Sequence, residues 1–213
     1  MPGVGSVIAG REGDNVSTPY HDPTYLDIVI TYGLDVRRRR FVLHGDIDHE
    51  DEHTKNPITH AVRSLLYLDQ SDGEIEFWIC TPGGDSAEMF GLYDVIRTRH
   101  NKVHTIGFGK IYSAGVLLLV AGDRRSVTEN ATLMSHAERC DADPRLPVWT
   151  GVLTLENQVR MERRWADLMA RRTNKNFRYW FDVHRGRKTE LWLNSEEMLE
   201  YGIVDDVLAE AEL

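Results

Sequence analysis

The chain has 213 residues, 41% of them hydrophobic and 28% charged, a balance that fits one globular domain with a sizeable core. Its formal net charge of −9 argues against a general nucleic-acid binder, and the dense basic cluster Arg37-Arg38-Arg39-Arg40 reads as a solvated strand entry rather than a phosphate site. No apolar run is long enough to span a membrane and no signal peptide is evident; with only two cysteines, Cys80 and Cys140, the expectation is a cytoplasmic protein with both thiols reduced.

Residues 1–25 are rich in Gly, Pro, Ser, Asp and Thr without a period and read as a flexible arm, leaving 26–213 as the folded domain. Residues 25–32 have strand-like apolar character, and 41–43 read as a second strand. Residues 61–68 suit a helix, Ser71-Asp72-Gly73 a turn, and 74–81 a strand in which Ile75, Phe77 and Ile79 alternate with Glu76 and Trp78. Asp85 with Glu88 predicts a capping box, Ser86 being the other candidate cap. Met89, Leu92, Tyr93 and Ile96 then form a helical stripe.

Further on, 103–108 predicts a strand, 114–121 a buried helix, and 126–128 and 132–135 short strands. Residues 139–150, with Pro144 and Pro147, read as a loop. A long helix is predicted over 153–172 and a shorter one near 176–184. Residues 191–193 read as a strand, 195–201 as a helix, and Ile203-Val204 as a terminal strand. Strands alternating with helices point to an α/β domain with mainly parallel pairing.

Two segments suggest chemistry. Ile79-Cys80-Thr81-Pro82-Gly83-Gly84 is an apolar strand ending on glycines, a place where backbone N–H groups can face a developing oxyanion. Ser113 stands between Tyr112 and Ala114-Gly115 at the start of an apolar helix, and His136 follows after another apolar stretch. A serine at a tight strand-to-helix turn with a later histidine as its base suggests a serine hydrolase; the bland alternative is that Ser113 merely caps its helix. His49-Glu50-Asp51-Glu52-His53 matches the zinc-peptidase pattern, but its acidic neighbours and Pro57 favour a solvated acidic loop. There is no P-loop pattern in the chain.

Thr81-Pro82-Gly83-Gly84, Gly109-Lys110-Ile111-Tyr112-Ser113-Ala114-Gly115 and Met134-Ser135-His136-Ala137 resemble, in order, the Ser-Pro-Gly-Gly, Gly-x-x-x-Ser-x-Gly and Met-Ile-His-Gln-Pro segments of the ATP-dependent Clp protease proteolytic subunit family. Asp167-Leu168-Met169-Ala170, Glu200-Tyr201-Gly202-Ile203-Val204-Asp205 and Arg40-Phe41-Val42-Leu43-His44-Gly45 extend the resemblance over about 38–208. It implies an α/β fold of the Clp protease and crotonase type, a spiral of ββα units with a protruding handle helix. It also implies Ser113 as nucleophile, His136 as base, and Gly84 and Ala114 as backbone donors of the oxyanion hole. Ala114 stands where the family commonly has methionine, and Ser135 replaces an apolar residue.

The family's triad aspartate lies eleven residues before the Tyr-Gly pair, and counting back from Tyr201 gives Glu190, with Asp182 as the second candidate acid. Thr189 takes the place of the family's arginine beside the acid, with Arg187 or Lys188 as the nearest substitutes. The resemblance further implies no cofactor or metal, stacked heptameric rings of one chain, and unfolded polypeptide substrates delivered by an AAA+ unfoldase. It offers no role for nucleic acid or a membrane. Two rival readings stay open: a non-catalytic or low-activity ring subunit, and a zinc peptidase built on His49, Glu50 and His53.

Overall fold

The computed structural model of the chain describes residues 23–48, 57–138, 145, 147–185 and 190–209. Their centre is one sheet in the order β1 (Leu34–Asp35), β2 (Arg40–His44), β3 (Ile75–Thr81), β4 (Val103–Tyr112), β5 (Arg124–Thr128) and β8 (Asp206–Leu208). β6 (Thr132–His136) leaves this path by pairing with β4, and β7 (Glu190–Leu193) pairs with β6. Pairing is parallel from β2 through β8 and between β4 and β6, and antiparallel at β1–β2 and β6–β7. The α/β architecture with mainly parallel strands is as the sequence predicts.

The periodicities explain which surfaces are buried. Ile75, Phe77 and Ile79 of β3 are wholly buried, and Phe77 stacks on Phe41 of β2 at 4.5 Å between ring centroids. α2 (Pro57–Leu68) packs on β2. α3 (Ser86–Arg97) buries its stripe of Met89, Leu92, Tyr93 and Ile96, and Asp85 caps it by accepting from the Glu88 N–H. α4 (Ala114–Val120) is buried at all seven residues, an all-round apolar helix that fits only an interior position.

The other sheet face carries polar residues in register. Arg40, Glu76, His104 and Arg124 stand side by side across β2, β3, β4 and β5. Arg40 pairs with Glu76 at 2.6 Å and Arg124 with Asp206 at 2.6 Å. His104 Nε2 lies 2.6 Å from Ser126 Oγ, whose hydroxyl donates to Asp206. Burial, aided by Arg124, pushes the His104 imidazole below its ordinary range.

β4 changes partner along its length. His104 through Gly107 pair with β5, whereas Lys110 through Tyr112 pair with β6. Between these stretches Gly109 has φ +59°, and the β3 register shifts between Ile79 and Thr81. This is why the strand predicted to stop at residue 108 runs to Tyr112: its glycines mark an irregularity within the strand, not its end.

α5 (Val148–Arg172) is the long predicted helix, begun a turn and more earlier, so residues 148–150 are helical rather than loop. Only Ala166 and Met169, near its C-terminus, are fully buried. Its first half exposes Val148, Trp149, Leu153, Leu155 and Val159, so the helix extends beyond the core. α6 (Phe177–Asp182) folds back against it, with buried Trp180 donating its indole N–H to Thr173 Oγ1 at 2.7 Å and meeting Trp165 edge-on.

Two predicted strands are corrected. Residues 25–32 lie in helix α1 (Pro23–Tyr32), which has no fully buried residue; a short apolar run does not separate helix from strand by itself. Tyr25 bonds Asp35 there, tying the helix to β1. α1 also takes in the end of the predicted arm, whose residues 1–22 lie outside the described residues. Ile203 and Val204 are buried in the turn after α7 (Ser195–Glu200), and the terminal strand is β8. Its entry was masked by Asp205 and Asp206, whose carboxylates pair with Arg125 and Arg124. The segment 49–53 and Cys140 lie outside the described residues, while Cys80 is buried as a free thiol. Among the described residues no helix is long and apolar enough to cross a membrane.

Candidate active site

Ser113 directly follows β4, and its backbone N–H donates to the Met134 carbonyl of β6 at 2.7 Å, adding one rung beyond the Tyr112–Met134 pair. Its backbone then turns sharply into α4, with φ 51° and ψ −117°. A side chain in this left-handed region costs about 1–3 kcal/mol, held in place by its surroundings. Here those surroundings are the β6 rung on one side and the buried α4 on the other. The Ser113 side chain makes no capping bond to α4, so the capping role is not what the hydroxyl does. Ser113 stands on a sharp strand-to-helix turn.

The glycines at the end of β3 lie against this elbow. Ile47 N–H donates to the Gly83 carbonyl at 2.8 Å, and Asp85 N–H donates to the Ile47 carbonyl. This short ladder uses the groups on either side of Gly84 and leaves the Gly84 N–H out of it. A Cβ on Gly83 would lie 2.5 Å from Ser113 Cβ, and one on Gly84 would lie 1.9 Å from the Ile47 oxygen. With φ of +105° and +149° as well, both positions require glycine. Ala114 N–H, in the first turn of α4, lacks an intrahelical acceptor by geometry. Gly84 thus follows the residue packed against Ser113, and Ala114 follows Ser113 itself in the chain.

His136 is the last residue of β6. Parallel pairing of β6 with the distal half of β4 brings it to the sheet edge where Ser113 emerges, and both line one cleft. His136 Nδ1 lies 2.6 Å from the Ala137 carbonyl oxygen. That contact fits a proton on Nδ1 and leaves the Nε2 lone pair as the basic site.

The two candidate acids are placed differently. Glu190 is directly opposite His136 in the antiparallel β6–β7 pair, so the two side chains share a sheet face. Its carboxylate accepts the Trp192 indole N–H at 3.0 Å and is not part of the cleft lining. Asp182 ends α6 with its carboxylate 3.5 Å from Arg178 Nε, also outside the cleft lining. Of the residues the sequence reading groups, Ser113 and His136 line one cleft, and Glu190 stands on the neighbouring strand.

Sequence reasoning missed Glu138, His184 and the aromatic walls. Phe90 of α3, Trp165 of α5 and Phe181 of α6 line the cleft and give it apolar sides. Ser135 is buried, with its Oγ 3.0 Å from His184 Nε2, and the His184 ring lies 5.3 Å from Trp165. Burial, with His136 nearby, pushes His184 down to about 4. Burial also pushes the Glu138 carboxyl up, assisted by the charges of Glu162 and Asp85 and opposed by a hydrogen bond from Ser86 and by His136. The spacing of Glu138 two residues past His136 was the one available signal. Among the described residues no cluster of three or more His, Cys, Asp or Glu is arranged to hold a metal ion.

Family comparison matches residues 35–211 to the family described as Clp protease. Among similar proteins, the ATP-dependent Clp protease proteolytic subunit 1 of Thermobifida fusca (strain YX) is 26% identical over 161 residues, covering 74% of this chain and 70% of that one. The ATP-dependent Clp protease proteolytic subunit of Streptococcus pyogenes serotype M5 (strain Manfredo) is 24% identical over 162 residues, covering 74% and 81%. That of Streptococcus sanguinis (strain SK36) is 23% identical with the same coverage.

His184 gives a pH prediction. Its folded pKa is depressed from 6.5 to about 4, so its neutral form stabilises the fold above 6.5 and that contribution is lost as pH falls toward 4. The urea midpoint should fall between these pH values, and fall less in His184→Asn. Equal falls in the two proteins would exclude His184 as a source of the acid sensitivity.

Proposed function

Because the chain belongs to the Clp protease family, we propose that it is a serine endopeptidase that hydrolyses peptide bonds of unfolded polypeptides inside a ring assembly. The observation that carries this reading is Ser113, held at positive φ between β4 and α4 with an uncapping side chain, in one cleft with His136. In the proposed reaction Ser113 Oγ bonds to the substrate carbonyl carbon while its proton passes to His136 Nε2. The carbonyl oxygen becomes an oxyanion facing the Gly84 and Ala114 N–H groups. Collapse breaks the C–N bond, and the leaving amine takes the proton from His136. Water then repeats the sequence on the acyl-enzyme, returning the proton to Ser113.

Glu190 is the proposed acid, reaching His136 across the β6–β7 pair by exchanging its Trp192 contact for the imidazole. The relatives are named ATP-dependent, and this chain has no P-loop pattern. ATP hydrolysis is accordingly assigned to an AAA+ unfoldase partner in the cytoplasm. The exposed apolar residues of α5 support a role in stacking heptameric rings. A second reading, a low-activity ring subunit, is favoured by the His136 Nδ1 contact to a backbone carbonyl instead of a carboxylate.

Ser113→Ala should lower hydrolysis of small peptide esters by roughly 10⁴-fold or more and remove labelling by a serine-directed phosphonate, with the fold intact. Turnover that survives in purified Ser113→Ala defeats the nucleophile assignment. Absence of labelling in the unchanged chain favours the low-activity reading.

Glu190→Gln should slow acylation on the order of 10²-fold or more, with little change in substrate binding, and Asp182→Asn should do less. The reverse order of effects would move the acid to Asp182.

Assembly has its own test. Light scattering should find paired rings whose pairing weakens as salt rises, because ion pairs made between rings by the exposed charges of α5 are screened. Full peptidase activity in a monomer would refute the requirement for a ring.

A further inference from the structure

Glu138 has no role in the reaction as written, yet it lines the same cleft as Ser113 and His136. It is the second residue after His136 on the segment leaving β6, close enough for a charge on His136 to act on its carboxylate, which accepts a hydrogen bond from Ser86. Glu190 and Asp182 are outside that cleft, with their carboxylates on Trp192 and Arg178. Resting on the serine peptidase reading, we propose that Glu138 is a positioning residue that acts through His136: its carboxylate supports, from inside the cleft, the imidazolium formed when His136 takes the Ser113 proton.

The surroundings of Glu138 fit this role better than a structural one. Asp85 and Ser86 at the start of α3, Glu162 of α5 and His136 on its own segment act on it, and His184 and Arg185 after α6 line the same cleft. Burial comes first among the causes that hold its carboxyl above the usual range, followed by like charge from Glu162 and Asp85; His136 is the group whose charge acts the other way. A carboxyl raised in this way favours the fold most when protonated, and that contribution is lost as pH rises through its folded pKa. Once ionised, Glu138 therefore weakens the fold. An imidazolium appearing at His136 during acylation is the cation that this charge stabilises, so its effect is larger in the transition state than in the resting enzyme.

The test is Glu138→Gln and Glu138→Asp in the assembled full-length protein, read by the pH dependence of kcat/KM on a small peptide ester and by the melting temperature. Glu138→Gln should lower the neutral plateau of kcat by about 3- to 30-fold, a range that brackets the tenfold worth of one unit of charge support. KM should change little, the acid limb should move to lower pH, and the melting temperature at pH 7 should hold or rise. Glu138→Asp should recover most of the rate. Ser86→Ala, which removes the hydroxyl that favours ionised Glu138, should move the loss of activity to higher pH. An unchanged plateau and limb in Glu138→Gln, or equal losses in Gln and Asp, overturns the role of Glu138 alone. If phosphonate fails to label Ser113 in the unchanged chain, the peptidase reading falls and takes this role with it.

Discussion

The change of partner along β4 is the constraint on which the site depends. A strand that paired with β5 to its end would deliver Ser113 into the middle of the sheet's parallel path. By turning at Gly109 and pairing its last residues with β6, it delivers Ser113 to the strand that ends in His136. The same ladder supplies the Met134 carbonyl that holds the Ser113 N–H. One set of backbone hydrogen bonds thus brings the two side chains to one edge and helps to hold the serine in an unfavourable conformation.

That conformation is sustained by ordinary forces. α4 is apolar and buried throughout, and burial of a Leu or Val side chain contributes about 1.5–3 kcal/mol, comparable to the local cost at Ser113. The glycine pair after β3 completes the arrangement, since Gly83 lies where a methyl group would strike Ser113. Ser113 and the Gly83-Gly84 turn are therefore packed directly against one another.

The sequence made much of this legible, for identifiable reasons. Alternation in β3 and the stripe of α3 are periodic signals whose burial follows directly from chain geometry. The Gly83-Gly84 pair was visible because its conformations admit few residue types, and Ser113 because it stands between an apolar strand and an apolar helix. The terminal strand was hidden by Asp205 and Asp206, whose charges are neutralised by arginines eighty residues away in the chain, a pairing that no local pattern reveals. The helix at residues 23–32 was misread because its apolar residues face no closed core. The surroundings of His136 were the least legible element. Register places Glu190 opposite His136, but the competition between Trp192 and the imidazole for its carboxylate belongs to side-chain geometry. Glu138 was overlooked for a related reason: a charged residue after a strand normally reads as solvated, and only the fold encloses it.

The polar row on the other face of the sheet shows how misleading proximity alone can be. His104, Ser126 and Asp206 form a tight histidine–serine–aspartate chain, and a search by residue identity and distance would select it as readily as any hydrolase centre. The direction of its protons rules it out as a nucleophile. The Ser126 hydroxyl gives its hydrogen to Asp206 and accepts one from His104 Nε2, the reverse of the polarity in which imidazole removes a serine proton. Ser126 is also wholly buried, so no carbonyl carbon can reach its oxygen. The trio is a strand-to-strand fastener written in the alphabet of a catalytic site, and only donor direction and access separate the two.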